Sequence, residues 1–236
     1  MKDLLVALAK QAPKFKTPSF SRPLSLPALG ASGDALSNDS IYSRIQQFLE
    51  PGDILIANTG TAGFFMANIL LPDGANYHTQ ALWSCIGWAT PAAFGAALAD
   101  PSRRVVLVEG DGGHQLTANQ IGTMGKYGVN PIILLLNNGM FGVEEIVMGN
   151  SNPDKVHIYN KLAPWQYHKL PEAMGCRDWF CTSVETNAQF ESALQNARKQ
   201  PGAAYIELLL GSKMVTPLPP EMIDRMYQAK TPPVTS

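Results

Sequence analysis

The chain has 236 residues, of which 45% are hydrophobic and 16% charged, with a net charge of −1. This is a globular composition, long enough for one large domain or two small ones. The near-neutral charge, without any Lys/Arg cluster of useful length, excludes an electrostatic case for nucleic acid, and no apolar run approaches the ~20 residues that cross a bilayer. The first residues lack a signal-peptide core followed by small residues, which predicts a cytoplasmic protein. Cys85, Cys176 and Cys181 fit neither a disulfide framework nor a zinc site, and are expected to be small buried hydrophobes in a reducing compartment. So sparse a charge density suggests a surface partly covered by a partner.

In chain order, residues 2–10 predict a short helix with an apolar stripe at Leu4, Leu5, Leu8 and Ala9. Pro13, Pro18, Pro23 and Pro27 then forbid a helix and read as an extended linker. Residues 30–39 continue it with small polar side chains. The expected division is therefore an N-terminal helix and linker over 1–39, a compact domain over 40–216 and a peripheral Pro-rich tail over 217–236.

Within the domain, residues 41–49 predict a helix, 53–57 (DILIA) a strand and 62–68 a short helix. Residues 91–98 form a small-residue helix, with Pro91 in its tolerant first turn. Residues 104–108 and 131–136 are unbroken apolar runs, the mark of parallel strands covered on both faces. Between them stands a Gly-Asp-Gly turn, then a helix opened by Thr117 with Gln120 in capping-box spacing. Residues 165–174 and 188–199 read as helices and 204–210 as a last strand. Alternating strands and helices predict an α/β fold, a three-layer sandwich around a mainly parallel sheet.

Asp111 and Asn138 both fall at the C-terminal ends of buried strands, where open α/β sheets bind their ligands. A carboxylate and a side-chain carbonyl suit a hard cation such as Mg2+, and the neighbouring glycines let a phosphate approach the backbone. A dinucleotide site is disfavoured: residues 110–115 lack the third glycine of GxGxxG, and an acid in the turn repels a diphosphate unless a cation intervenes. His114 follows the turn and reads as a partly exposed structural residue. His78, His157 and His168 have no metal spacing, and Trp83, Trp88 and Trp165 read as core or interface residues.

Gly110-Asp-Gly112 followed by Asn137-Asn138 resembles the thiamine diphosphate fingerprint. DILIANTGTAGF, ALWSCIGWATPAAFGAALADPSRRVVLVEGDG, QLTANQIGTM and YNKLAPWQYHKLP extend the likeness to the C-terminal cofactor domain of the pyruvate decarboxylase and indolepyruvate decarboxylase family, over nearly everything after Ile41. The resemblance implies the Rossmann-like thiamine diphosphate-binding fold and a thiamine diphosphate–Mg2+ site. It makes Asp111, Asn138 and the Met140 carbonyl the metal ligands. Gly112 and Gly113 would lie where the backbone meets the diphosphate, with Thr59 and Thr61 in a turn that also reaches the cofactor. Ile86 would hold the cofactor bent, and the Ser84 carbonyl would meet its aminopyrimidine. Glu144 would be the substrate-side catalytic acid–base group, with Glu145 beside it as the alternative.

This sequence departs from the family at three of these places. Gly113 replaces a common hydroxyl residue, Ser84 a usual glycine, and Phe141 a tyrosine. Family members also carry a pyrimidine-binding domain, whose glutamate activates the cofactor. The resemblance thus implies a 2-oxo acid decarboxylase-like carbon–carbon lyase, working as a homo-oligomer or as a hetero-oligomer with a chain that brings that domain. A non-catalytic regulatory module, or a repurposed enzyme with new chemistry in the exposed pocket, are the other two readings.

Overall fold

The computed structural model describes residues 2–11, 28–150 and 152–211. The prolines from Pro13 to Pro27 and the tail from Pro217 lie outside these. The elements, in order, are α1 (Lys2–Gln11), α2 (Asn38–Phe48), β1 (Ile54–Ala57), α3 (Thr61–Met66), β2 (Asn76–His78), α4 (Ala89–Ala99), β3 (Val105–Gly110) and α5 (Asp111–Gln115). They continue with α6 (Gln120–Tyr127), β4 (Ile132–Asn137), α7 (Gly142–Val147), α8 (Leu170–Ala173), β5 (Phe180–Val184), α9 (Asn187–Lys199) and β6 (Ala204–Leu209).

The six strands form one sheet in the order β2-β1-β3-β4-β6-β5, and every pairing is parallel. The α/β expectation holds, with a sheet that is wholly rather than mainly parallel. Side chains alternate between its two faces. Leu55, Val106, Val108, Leu134 and Ile206 join a core with Ile41 and Ile45 of α2 and Phe190 of α9. Ile56, Val105, Leu107, Ile133 and Tyr205 join a second core with Ala89, Ala93 and Ala97 of α4 and Ile121 of α6. Ile133, Leu134 and Leu135 of β4 are fully buried, each contributing roughly 1.5–3 kcal/mol. The unbroken apolar runs exist because both faces of the sheet are covered.

Several elements depart from expectation. Residues 31–36, expected as linker, pack onto the domain. Leu36 N–H donates to the Glu185 carbonyl at 3.0 Å, Ala188 N–H donates to the Ser32 carbonyl at 2.8 Å, and Leu36 is buried. Compact structure therefore begins near Ala31, and α2 opens at Asn38 with Ser37 as its cap. The Thr117 capping box does not form. Thr117 Oγ1 donates instead to the Gly87 carbonyl at 2.8 Å, and α6 starts at Gln120. The helix expected over 165–174 is a 3-10 turn (Tyr167–Lys169) leading into α8, where Pro171 sits in the first turn and blocks longer continuity. The Gly-Asp-Gly segment is the start of the short helix α5 rather than a plain turn. β2 and β5 went unpredicted. They are the edge strands, short and only partly buried, so they carry no strong apolar period.

Among the cysteines only Cys176 is buried; Cys85 is exposed and Cys181 half-buried, and all are free. Trp83 is exposed and Trp88 packs against the second core.

Candidate functional site

Strand register brings three chain segments to one edge. Ala57 pairs with Val108, Gly110 with Leu136 and Asn137 with Leu209. Asn58, Asp111 and Asn138 therefore leave the C-terminal ends of three adjacent strands. A cleft, partly open to solvent, lies between them. Thr59, Thr61, Ile86, Asp111, Gly112, Gly113, Asn138 and Met140 all line it. Residues far apart in sequence thus meet at one edge of the sheet. Ser84 and Glu144 do not line the cleft, and both are exposed.

Asp111 is 1% exposed. Its Oδ2 accepts the Gly139 N–H at 2.7 Å and its Oδ1 accepts the Gly112 N–H at 3.0 Å. Burial raises its pKa to about 7, against the lowering effect of those backbone donors. Such an acid is short of positive charge. Asn138 Oδ1 accepts the Met140 N–H at 3.2 Å, which turns the side-chain oxygen back over the loop that Asp111 holds. Met140 bridges Lys161 antiparallel, and the bonds of that bridge run from Phe141 N–H to the Asn160 carbonyl and from Leu162 N–H to the Gly139 carbonyl. In this pattern the bridged residue's own carbonyl points away from its partner. The Met140 carbonyl is left outside the bridge.

Among the described residues no group of three or more His, Cys, Asp or Glu side chains is placed to hold a metal. A cation here would therefore take one carboxylate, one amide oxygen and one main-chain carbonyl, and complete its shell from ligand and water. That donor set, all oxygen with a single formal charge, fits Mg2+ better than zinc or copper. The residues present fit a magnesium-bound diphosphate.

Ser84 has φ +52°, the one non-glycine residue with positive φ among those described. It holds the left-handed backbone that favours glycine, at a cost of roughly 1 kcal/mol. Gly112 and Gly113 are each tightly overlaid. A Cβ at Gly112 would overlap the Phe141 ring, and one at Gly113 would overlap the Asn58 amide.

Beneath the cleft lies a polar network that sequence reasoning missed. Glu109, His114 and Thr90 are fully buried. Glu109 Oε1 lies 2.7 Å from His114 Nδ1 and accepts from Thr90 Oγ1 at 2.7 Å, while His114 Nε2 lies 2.9 Å from the Tyr205 hydroxyl. His114 is thus a core residue and not a partly exposed one. On β6, Glu207 repeats the device with His168 at 2.6 Å, and its other oxygen accepts from Asn137 Nδ2 at 2.7 Å. The available signal was a glutamate inside each of two apolar strands, VVLVEG and AYIELL. A buried acid in such a run requires a partner.

Glu145, not Glu144, is the buried acid of α7. Its carboxylate accepts from Asn160 Nδ2 at 2.6 Å and from His157 N–H at 3.1 Å, pairs with His157 Nδ1, and also takes Asn150 Nδ2. Burial works to raise its pKa, but these hydrogen bonds prevail and hold it down to about 2. They tie Asn150, His157 and Asn160 to α7, just before Lys161, which bridges Met140. Because the folded pKa lies below the ordinary 4.5, the stabilisation is present above that value and is lost as pH falls towards 2. Acid titration of fold stability is expected to show this loss in the native chain and a smaller one in Glu145→Gln.

A family profile described as "Thiamine pyrophosphate enzyme, C-terminal TPP binding domain" matches residues 58–208. The chain is similar to proteins named alpha-keto-acid decarboxylase. The one from Mycolicibacterium paratuberculosis is 34% identical over 186 residues, 78% of this chain and 32% of that protein. The one from Mycobacterium tuberculosis is 36% identical over 164 residues, 70% and 28% respectively, and that from Mycobacterium ulcerans is 32% identical over 201 residues, 85% and 34%. The chain spans about a third of the length of these curated relatives.

Proposed function

The chain belongs to the thiamine pyrophosphate enzyme family through its C-terminal TPP-binding domain, and on that premise we propose that its cleft holds thiamine diphosphate through one Mg2+ ion. The observation that carries the magnesium is the buried Asp111 carboxylate, short of positive charge and joined by hydrogen bond to the loop bearing Asn138 and the open Met140 carbonyl. In this reading those three groups ligate the cation, while Thr59, Thr61, Gly112 and Gly113 face the diphosphate. Ile86 and the Ser84 carbonyl guide the aminopyrimidine end.

The relatives' name supports decarboxylation of a 2-oxo acid, a carbon–carbon lyase reaction. Bound in the cleft, thiamine diphosphate would supply the electron sink. The residues of this chain bind it, orient it and neutralise its charge. Asp111 is the one carboxylate among the described residues lining the cleft, and it is committed to the cation. In this reading the acid that activates the aminopyrimidine is supplied by a pyrimidine-binding domain, with the site completed in a homo- or hetero-oligomer. Glu144 takes a substrate-side role only once that partner covers it. The protein works in the cytoplasm in this reading, and no described helix is long and apolar enough to cross a membrane.

Calorimetry tests it. Thiamine diphosphate is expected to bind the chain in the presence of Mg2+ and not after chelation. Release of CO2 from a 2-oxo acid is expected only when a chain with the pyrimidine-binding domain is added. Failure of the folded chain to bind with Mg2+ would discard the cofactor reading in favour of a module or enzyme with other chemistry.

A further inference from the structure

Asn58 ends β1 and is 1% exposed, yet it lines the cleft. Its carboxamide is fixed at both ends. Oδ1 accepts the Thr59 N–H at 2.9 Å, and Nδ2 donates to Glu109 Oε2 at 3.4 Å. These partners assign the amide's orientation, since the flipped form would set its oxygen against a carboxylate. An amide nitrogen carries two N–H groups. One goes to Glu109, and the other has no partner among the described residues. That nitrogen occupies the room a side chain on residue 113 would enter: a Cβ there would overlap it and lie 3.1 Å from Asn58 Cγ. Positions 58 and 113 thus compete for one space, and this chain fills it from position 58.

We propose that Asn58 is an anion-contacting residue of this site, its amide nitrogen seated in the space that Gly113 leaves open and its remaining N–H donating to a phosphoryl oxygen of the bound diphosphate. The proposal rests on the thiamine diphosphate reading of the cleft. It explains why a glycine is required at 113, a residue within α5 that needs no unusual backbone angle. It also gives the buried Glu109 a second task, holding the amide so that a donor, not an acceptor, meets the anion.

The test is calorimetry with thiamine diphosphate, and separately with inorganic pyrophosphate, in excess Mg2+. The proteins are the native chain, Asn58→Ala, Asn58→Ser, Gly113→Ser and the exchange Asn58→Ala/Gly113→Ser, each checked for folding by thermal denaturation. Asn58→Ser retains an acceptor for Thr59 but is too short to reach over residue 113, so it carries the comparison if Asn58→Ala does not fold. Expected are an affinity about tenfold weaker for both ligands in the Asn58 variants, a larger loss in Gly113→Ser, and recovery in the exchange, whose hydroxyl takes the vacated room. Asn58 variants that bind within twofold of the native chain overturn the proposal, as does an exchange that folds and binds no better than Asn58→Ala. A native chain that binds neither ligand sinks the cofactor reading itself, a distinct result.

Discussion

Asp111→Ala is expected to abolish magnesium-dependent binding of thiamine diphosphate, by at least about a hundredfold in Kd, or roughly 2.7 kcal/mol. The carboxylate is the single formal negative charge among the three proposed ligands. Without it the cation keeps two neutral oxygens and the diphosphate loses its counter-charge. The same loss is visible without enzymology. A ligand present at about a hundred times its Kd stabilises a folded chain by about 2.7 kcal/mol. For a domain of this size that raises Tm by roughly 5–10 °C. The native chain is expected to gain this shift from thiamine diphosphate with Mg2+, and Asp111→Ala to gain none. An equal shift in both would separate cofactor binding from the aspartate.

The second large effect concerns folding. His114→Phe is expected to destabilise the chain by about 3–5 kcal/mol, because it takes one buried partner from Glu109, leaving it Thr90 and Asn58, and another from the Tyr205 hydroxyl. Replacing both partners with apolar groups of similar size, as in Glu109→Met/His114→Phe, removes the charge together with its need. That double variant is expected to lie within about 1–2 kcal/mol of the native chain, with Thr90 and Asn58 accounting for the residue of the cost. Urea denaturation of the two single variants and the double gives the coupling directly. Additive effects would mean that the pair is not the unit it appears from its 2.7 Å separation.

What the sequence disclosed, and what it hid, divides along a physical line. The strands β3 and β4 were legible because burial on both faces leaves an unbroken apolar run. Asp111 and Asn138 were legible because a strand, a helix and another strand return the chain to the same sheet edge. The three Glu–His pairs were not legible. Glu207 meets His168 at a separation of 39 residues, and nothing local in either segment announces the other. Glu145 and Glu144 are neighbours whose fates differ only by which side of a single helical turn faces the protein. Residues 31–36 looked like linker because their attachment is made almost wholly by main-chain groups, to which composition is blind.

The position of β6 governs how the nascent chain must behave. Among the described residues the last strand to leave the ribosome is not an edge but an interior member, inserted between β4 and β5. Until it arrives, β5 has no strand to pair with among the described residues, and one margin of β4, the Ile-Ile-Leu-Leu-Leu stretch, stands open with its amides unsatisfied. At about 5–20 residues per second, translation of the intervening segment leaves that greasy margin uncovered for several seconds. An uncovered apolar strand margin of this kind is where chains self-associate.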